Sequence, residues 1–393
     1  MSVNPVTIPP LDAHRDARSG ILPNANARSV TLSADSELIQ GIGAIVLPDI
    51  GHTVAAVGRV TNAVLDSGKV SIEIELGFPA SSIHAAIVQA VSDGVRSAVE
   101  VDEVAVSVAT RIAAHGVQRN LKPLANVRNI IAIASGKGGV GKSTTAVNLA
   151  LALSGEGAKV GVLDADIYGP SVPLMLGVPG QRPDSDDGQS MNPLIAHGIQ
   201  VMSIGFLIDA DQPMVWRGPM VTQALNQMLQ QTHWSDLDYL IVDMPPGTGD
   251  IQLTLSQSVP VSGAVIVTTP QDIALLDARK GLQMFRKVSV PVLGVVENMS
   301  THVCTNCGHE EALFGSGGGL QMAADFEVEL LGQLPLDLRI REQTDSGNPS
   351  VVAEPGGAPA EAYRATARRM AARLALQGRD YSHRFPKIVV ENT

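Results

Sequence analysis

Three groups of residues have the types and spacing to do chemistry. The first is the run Gly136-Lys137-Gly138-Gly139-Val140-Gly141-Lys142-Ser143-Thr144, whose pattern is Gly-x-x-x-x-Gly-Lys-Ser. Glycines at this spacing let backbone N–H groups curl around phosphate oxygens. A helix opening at Lys142 would point its positive end at the same anion. The Lys142 ammonium then reaches the β- and γ-phosphates, and the Ser143 hydroxyl holds Mg²⁺. The expected ligand is ATP. Lys137 is unusual, because a phosphate loop needs no lysine directly after its first glycine.

The second group is carboxylates at strand ends. Asp164 and Asp166 close the run Val160–Asp164, and Asp243 closes Tyr239–Asp243. Carboxylates there suit a Mg²⁺ shell or a water beside the terminal phosphate. Asp164 and Asp243 are expected on the metal side. Met244-Pro245-Pro246-Gly247-Thr248-Gly249-Asp250 follows, a tight loop that could sense the γ-phosphate. Trp216-Arg217-Gly218-Pro219 reads either as a relay from that loop or as a surface turn. Asn298, after the run Val292–Val296, carries an amide donor and acceptor suited to an adenine edge.

The third group is Cys304 and Cys307, the chain's two cysteines, in His302-Val303-Cys304-Thr305-Asn306-Cys307-Gly308-His309. Two thiolates at C-x-x-C spacing hold a metal from one side. A cubane iron–sulfur cluster takes four thiolates, so two copies of the chain would complete the set near a two-fold axis. The spacing also admits a redox pair, a structural thiol pair, and a zinc site that bridges two chains or recruits His309.

These groups must be positioned by the elements around them. From Val127 onward short β-branched runs alternate with helical stretches. The runs are Ile130–Ala134, Val160–Asp164, Tyr239–Asp243, Ala264–Thr268 and Val292–Val296, with Leu330–Leu334 strand-like. Such alternation predicts an α/β fold with a parallel sheet and helices on both faces. Functional loops then lie at the carboxyl ends of the strands, where all three groups fall.

Ahead of this stands a small α+β unit, residues 37–110. Two strands are expected there, Val54–Val64 and Lys69–Leu76, joined by a turn at Asp66-Ser67-Gly68. A helix over Ser81–Val99 and a third strand, Glu103–Val108, follow. Residues 1–36 read as a flexible arm, 111–127 as a linker, 128–378 as the nucleotide-binding domain and 379–393 as a tail. Residues 359–377 form a helix carrying Arg364, Arg368, Arg369 and Arg373. It is expected to pack on the sheet, since it has too few bulky apolar residues to lie in a membrane.

Composition narrows the function classes. The formal net charge of -11 lacks the basic footprint of a general nucleic-acid binder. No apolar run reaches membrane-spanning length. The stretch Met1 to Ser36 lacks the basic start and apolar block of a secretory signal, so a cytoplasmic protein is expected. Two cysteines are too few for a disulfide framework.

The double-lysine loop resembles that of the deviant Walker ATPases, which include nitrogenase iron proteins, arsenite ATPases and the MinD/ParA group. The resemblance implies that Lys137 reaches across a homodimer to the partner's nucleotide and stabilises transition-state charge. It also implies that Asp166, as the switch I aspartate, orients the attacking water. Asn298 would read the base, and Pro335-Leu336-Asp337 resembles a second base-contact loop. Ser135–Thr145, Asp164–Ser171, Asp243–Asp250, Asn298–Ser300 and Cys304–Gly315 together resemble the Mrp/ApbC/NBP35 family of iron–sulfur cluster carrier ATPases. That implies a deviant Walker P-loop NTPase, catalytic through Lys137, Lys142 and Asp166. It would hold a labile [4Fe-4S] cluster on Cys304 and Cys307 of two subunits. Its expected partners are cluster scaffold proteins and apo iron–sulfur proteins, with neither nucleic acid nor membrane. Residues 37–110 resemble a MIP18-like domain, although Gly77-Phe78-Pro79-Ala80-Ser81-Ser82 lacks the cysteine that many stand-alone members carry. A MinD/ParA-like positioning ATPase and a zinc-bridged dimeric scaffold are the competing expectations.

Overall fold

Valine, isoleucine, leucine and alanine fill the buried positions of two compact units. The computed structural model describes residues 36–119, 121–207, 218–304 and 306–378. The chain divides between Ile112 and Ala113.

In the first unit, strands β1 (Gly58–Asp66) and β2 (Lys69–Leu76) form an antiparallel hairpin, with Asp66 opposite Lys69. Ser67 and Gly68 both have positive φ, 49° and 81°, as a tight two-residue hairpin turn demands. Strand β3 (Glu103–Thr110) runs parallel to β2, reached through the His84–Ala98 helix. Val70, Ile72, Ile74 and Leu76 alternate into the core, and Ile87, Val91 and Val95 form the buried stripe of the helix. The strand expected over Val54–Val64 begins only at Gly58. Val54–Val57 is a helical turn instead. Val54 and Val57 are both buried while Ala55 and Ala56 are exposed, a three-residue spacing that a strand cannot satisfy.

The second unit is built on an eight-stranded sheet in the order β13-β10-β9-β4-β8-β5-β7-β6. Its strands are β4 (Val127–Ser135), β5 (Val160–Asp164), β6 (Leu194–Ala196), β7 (Ile199–Ser203), β8 (Leu237–Asp243), β9 (Gly263–Thr268), β10 (Val292–Glu297) and β13 (Glu329–Gln333). All pair in parallel except β6, which returns antiparallel on β7. The central strands are buried along almost their whole length, because helices cover both faces. Sequence periodicity missed β6 and β7, whose short runs are separated by His197-Gly198.

Part of the stretch read as a linker is bonded into this unit. The His115 N–H donates to Asn129 Oδ1 at 3.1 Å, and Gln118 Nε2 donates to Ser256 O at 2.9 Å. The Ala358–Ala375 helix packs on the Lys142–Gly155 helix and on β13, and buries Tyr363, Ala367, Met370 and Leu374. Its Arg368 is buried and ion-paired at 2.8 Å to both Glu156 and Glu361. Among the described residues no helix is long and apolar enough to cross a membrane. Residues 1–35, Asn120, residues 208–217, Thr305 and residues 379–393 lie outside the described residues, and with them Trp216 and Arg217.

Candidate functional site

The order β4-β8-β5-β7 puts three polar strand ends in one row. Asp243 is opposite Ile133 on β4 and opposite Asp164 on β5, and Asp164 is opposite Ser203 on β7. The phosphate loop leaves β4 beside this row and enters the Lys142–Gly155 helix. A cleft of about 210 Å³ opens there, lined by Lys137, Gly139, Lys142, Ser143, Thr144 and Asp166 among others. Gly141 has φ +80°, and a Cβ on it would collide with the Asn298 amide, so the loop admits only glycine there.

Lys142 is only 6% exposed, and its Nζ donates to Asp243 Oδ1 at 2.6 Å and to Ser143 Oγ at 3.1 Å. Asp166 Oδ2 lies 3.6 Å from the same nitrogen. Asp243 Oδ2 is buried and has no hydrogen-bond partner among the described residues. An orphaned carboxylate oxygen and a serine hydroxyl that share Lys142 as a neighbour are hard-oxygen donors of the kind that fit Mg²⁺. Burial raises the Asp166 carboxyl above its ordinary range, against the pull of Lys142.

The Asp164 carboxylate is held by protein donors. Its Oδ1 accepts the Asp166 N–H at 3.1 Å, and its Oδ2 accepts the Val172 N–H at 3.2 Å and Ser203 Oγ–H at 2.9 Å. Both oxygens are thus committed to the loop 165–172 and to β7. Burial, reinforced by the charge of Asp243, pushes its carboxyl up to about 7. Sequence reasoning missed Ser203, because its relevance depends on a strand register that no local pattern displays.

The base-side candidates are also engaged by protein. Asn298 Nδ2 donates to Val140 O at 2.8 Å, so its amide buttresses the phosphate loop. Asp337 N-caps the Leu338–Asp345 helix through the Arg339 N–H at 2.8 Å. It also pairs with the Arg339 guanidinium, which holds its carboxyl below the usual carboxylate range. Neither residue lines the 210 Å³ cleft.

The cysteines sit on a small ribbon of β11 (His302–Val303) and β12 (Glu310–Glu311). The Cys304 N–H donates to His309 O at 2.9 Å and the Gly308 N–H to Cys304 O at 2.8 Å, with Gly308 at φ +72°. This turn leaves Cys307 exposed and Cys304 partly so. Backbone N–H groups of Cys307 and Asn306 aim at the Cys304 sulfur and, with the Cys307 thiol and His302, bring its pKa below that of an ordinary thiol. Such a nest favours thiolate, the form that binds metal. Among the described residues no three His, Cys, Asp or Glu side chains converge on one point, His309 included.

Comparison with known proteins agrees with this geometry. The family described as NUBPL iron-transfer P-loop NTPase, of the ParA group, matches residues 126–371. The chain is 61% identical over 260 residues to an iron–sulfur cluster carrier protein of Escherichia coli K12, covering 66% of this chain and 70% of the relative. It is 52% identical over 267 residues to the iron–sulfur cluster transfer protein NUBPL of Mus musculus, covering 67% of this chain and 83% of that one. A nucleotide-binding protein of Archaeoglobus fulgidus, solved with ADP, superposes with a TM-score of 0.53 at 36% identity. It covers 61% of this chain, and the match spans 93% of that structure. The lysine-bearing phosphate loop, the row of strand-end carboxylates and these matches lead to one conclusion: the chain belongs to the NUBPL iron-transfer P-loop NTPase family.

Proposed function

We propose that this protein is an ATP-hydrolysing carrier that holds a labile [4Fe-4S] cluster between two subunits and passes it to apo-proteins. The observation that carries the proposal is the thiol pair, with Cys307 exposed and Cys304 partly exposed in a nest of N–H groups, in the same unit as a double-lysine phosphate cleft. One chain offers two thiolates, and a cubane cluster takes four, so two copies complete the set.

In the cleft, loop N–H groups and Lys142 hold the phosphates. Ser143 and Asp243 would hold Mg²⁺, which supplies charge neutralisation between the phosphates when bound. Asp166, tethered through its N–H to Asp164, orients the attacking water. Lys137 lines the cleft and makes no ion pair among the described residues, which suits a lysine that acts on a partner's nucleotide. Asn298 and Asp337 stand on the base side. The unit ending at Ile112 serves in partner recognition as a MIP18-like domain, and the setting is cytoplasmic. Scaffold proteins supply the cluster and apo iron–sulfur proteins receive it.

Anaerobic purification followed by counting iron, sulfide and zinc tests this. Roughly four iron and four sulfide per two chains are expected. Stoichiometric zinc with no sulfide would replace the carrier by a zinc-bridged scaffold.

A further inference from the structure

Glu297 is a buried carboxylate with no part in the chemistry above. It ends β10 and is fully shielded from solvent. Its Oε2 accepts the Gly319 N–H at 2.5 Å and its Oε1 accepts Gln333 Nε2 at 2.7 Å. Gly319 is the second residue of the Gly318–Asp325 helix, the element into which the cysteine segment runs. A carboxylate on a helix N-terminal N–H is a charge-assisted bond at the positive end of the dipole. The fit is close: a Cβ on Gly319 would lie 2.9 Å from both Cβ and Oε2 of Glu297.

The next residue is Asn298, whose amide holds the Val140 carbonyl of the phosphate loop. Consecutive residues therefore grip the nucleotide loop and the far end of the cysteine segment. The near end is held by Ser300 and His302, whose N–H and Nδ1 meet the carbonyls of Leu334 and Leu336 at 3.0 and 2.9 Å. Those carbonyls follow Gln333, the second partner of Glu297.

We propose that Glu297 is a positioning residue that transmits movement of the phosphate loop to the segment carrying Cys304 and Cys307. This rests on the carrier function proposed above. A shift of Val140 moves Asn298 and with it the end of β10. Glu297 then carries the Gly318–Asp325 helix along, and the thiolates at the ribbon tip change position. Met at 297 follows the same unbranched path but offers neither donor a good acceptor, so both bonds are lost, whereas Gln could keep both by a flip of the Gln333 amide.

The test uses the full chain with its reconstituted cluster. Cluster loss to a ferrous-iron chelator is timed with ATP and with ADP, alongside ATP hydrolysis and thermal midpoint. In the parent protein the two rates differ by about fivefold or more. In Glu297→Met the ratio collapses towards unity while hydrolysis and cluster content persist. A variant that keeps the parent ratio overturns the role of Glu297. A parent protein that binds no cluster overturns the carrier reading instead. Amide exchange over residues 301–319 of the parent chain gives a second, mutation-free measurement. Protection that differs between a non-hydrolysed ATP analogue and ADP supports the link, and identical protection overturns it.

Discussion

The Nζ of Lys142 stands 2.6 Å from Oδ1 of Asp243, with both side chains almost wholly buried. Asp166 and Asp164 complete a group of three carboxylates around this one cation. Breaking a buried pair by removing one partner costs about 3–5 kcal/mol. Lys142→Ala should therefore abolish ATP hydrolysis and also lower thermal stability. The double variant Lys142→Ala/Asp243→Asn should regain part of that stability but no activity. Calorimetry of both proteins checks this, and equal stability of the single variant and the parent would contradict it.

The Asp164 carboxyl is raised to about 7 by burial and the neighbouring Asp243, from an ordinary 3.8. The folded protein thus keeps a proton that the unfolded chain releases at lower pH. Between about pH 4 and pH 7 the native state binds more protons, so this group makes stability fall as pH rises. Denaturant titrations without nucleotide or Mg²⁺ should show that decline, and Asp164→Asn should flatten it.

The Asn298 amide supports Val140 rather than standing free. Asn298→Ala removes one buried hydrogen bond, on the order of 1 kcal/mol, which corresponds to several-fold weaker nucleotide binding. Asn298→Asp should be worse, because a carboxylate would face the Val140 carbonyl. Calorimetric titration with ADP ranks the three proteins, and a tighter-binding Asp variant would refute the buttress.

Cys304→Ser and Cys307→Ser should each lose the cluster while keeping nucleotide binding. The Cys304 sulfur receives backbone N–H groups, so its alkylation rate in the cluster-free protein should reach half-maximum below the ~8.5 of a free thiol. An iodoacetamide rate profile against pH measures this. A midpoint at or above the free-thiol value would show that the nest does not act on the sulfur.

The Arg368 guanidinium is 1% exposed and joins Glu156 to Glu361 across the helix that closes the chain's larger unit. Arg368→Ala leaves the buried Glu156 charge without this partner and should cost about 3–5 kcal/mol. Arg368→Lys should rescue only part, since an ammonium lacks the guanidinium's fork. Urea midpoints of the two variants decide.

The chemistry of the phosphate loop was legible from Gly136 to Thr144 because local backbone conformation creates the anion cradle. The thiol pair was legible from its C-x-x-C spacing alone. The alternation after Val127 likewise announced a parallel sheet, although β6, with three residues, and β7, whose apolar run Gln200 interrupts, did not register.

What the tertiary structure alone decided is how side chains meet across non-consecutive strands. The neighbours β4, β8 and β5 are far apart in the chain, and only their parallel register sets Asp243 beside Asp164 and Asp164 beside Ser203. That register lets Asp164 clamp its own loop to β7. It likewise gave Asn298 to the Val140 carbonyl and Glu297 to Gly319. Composition and spacing name the groups that can react, because those depend on residue type and local turn. Which partner each buried group satisfies depends on strand order, which the sum of long-range packing determines.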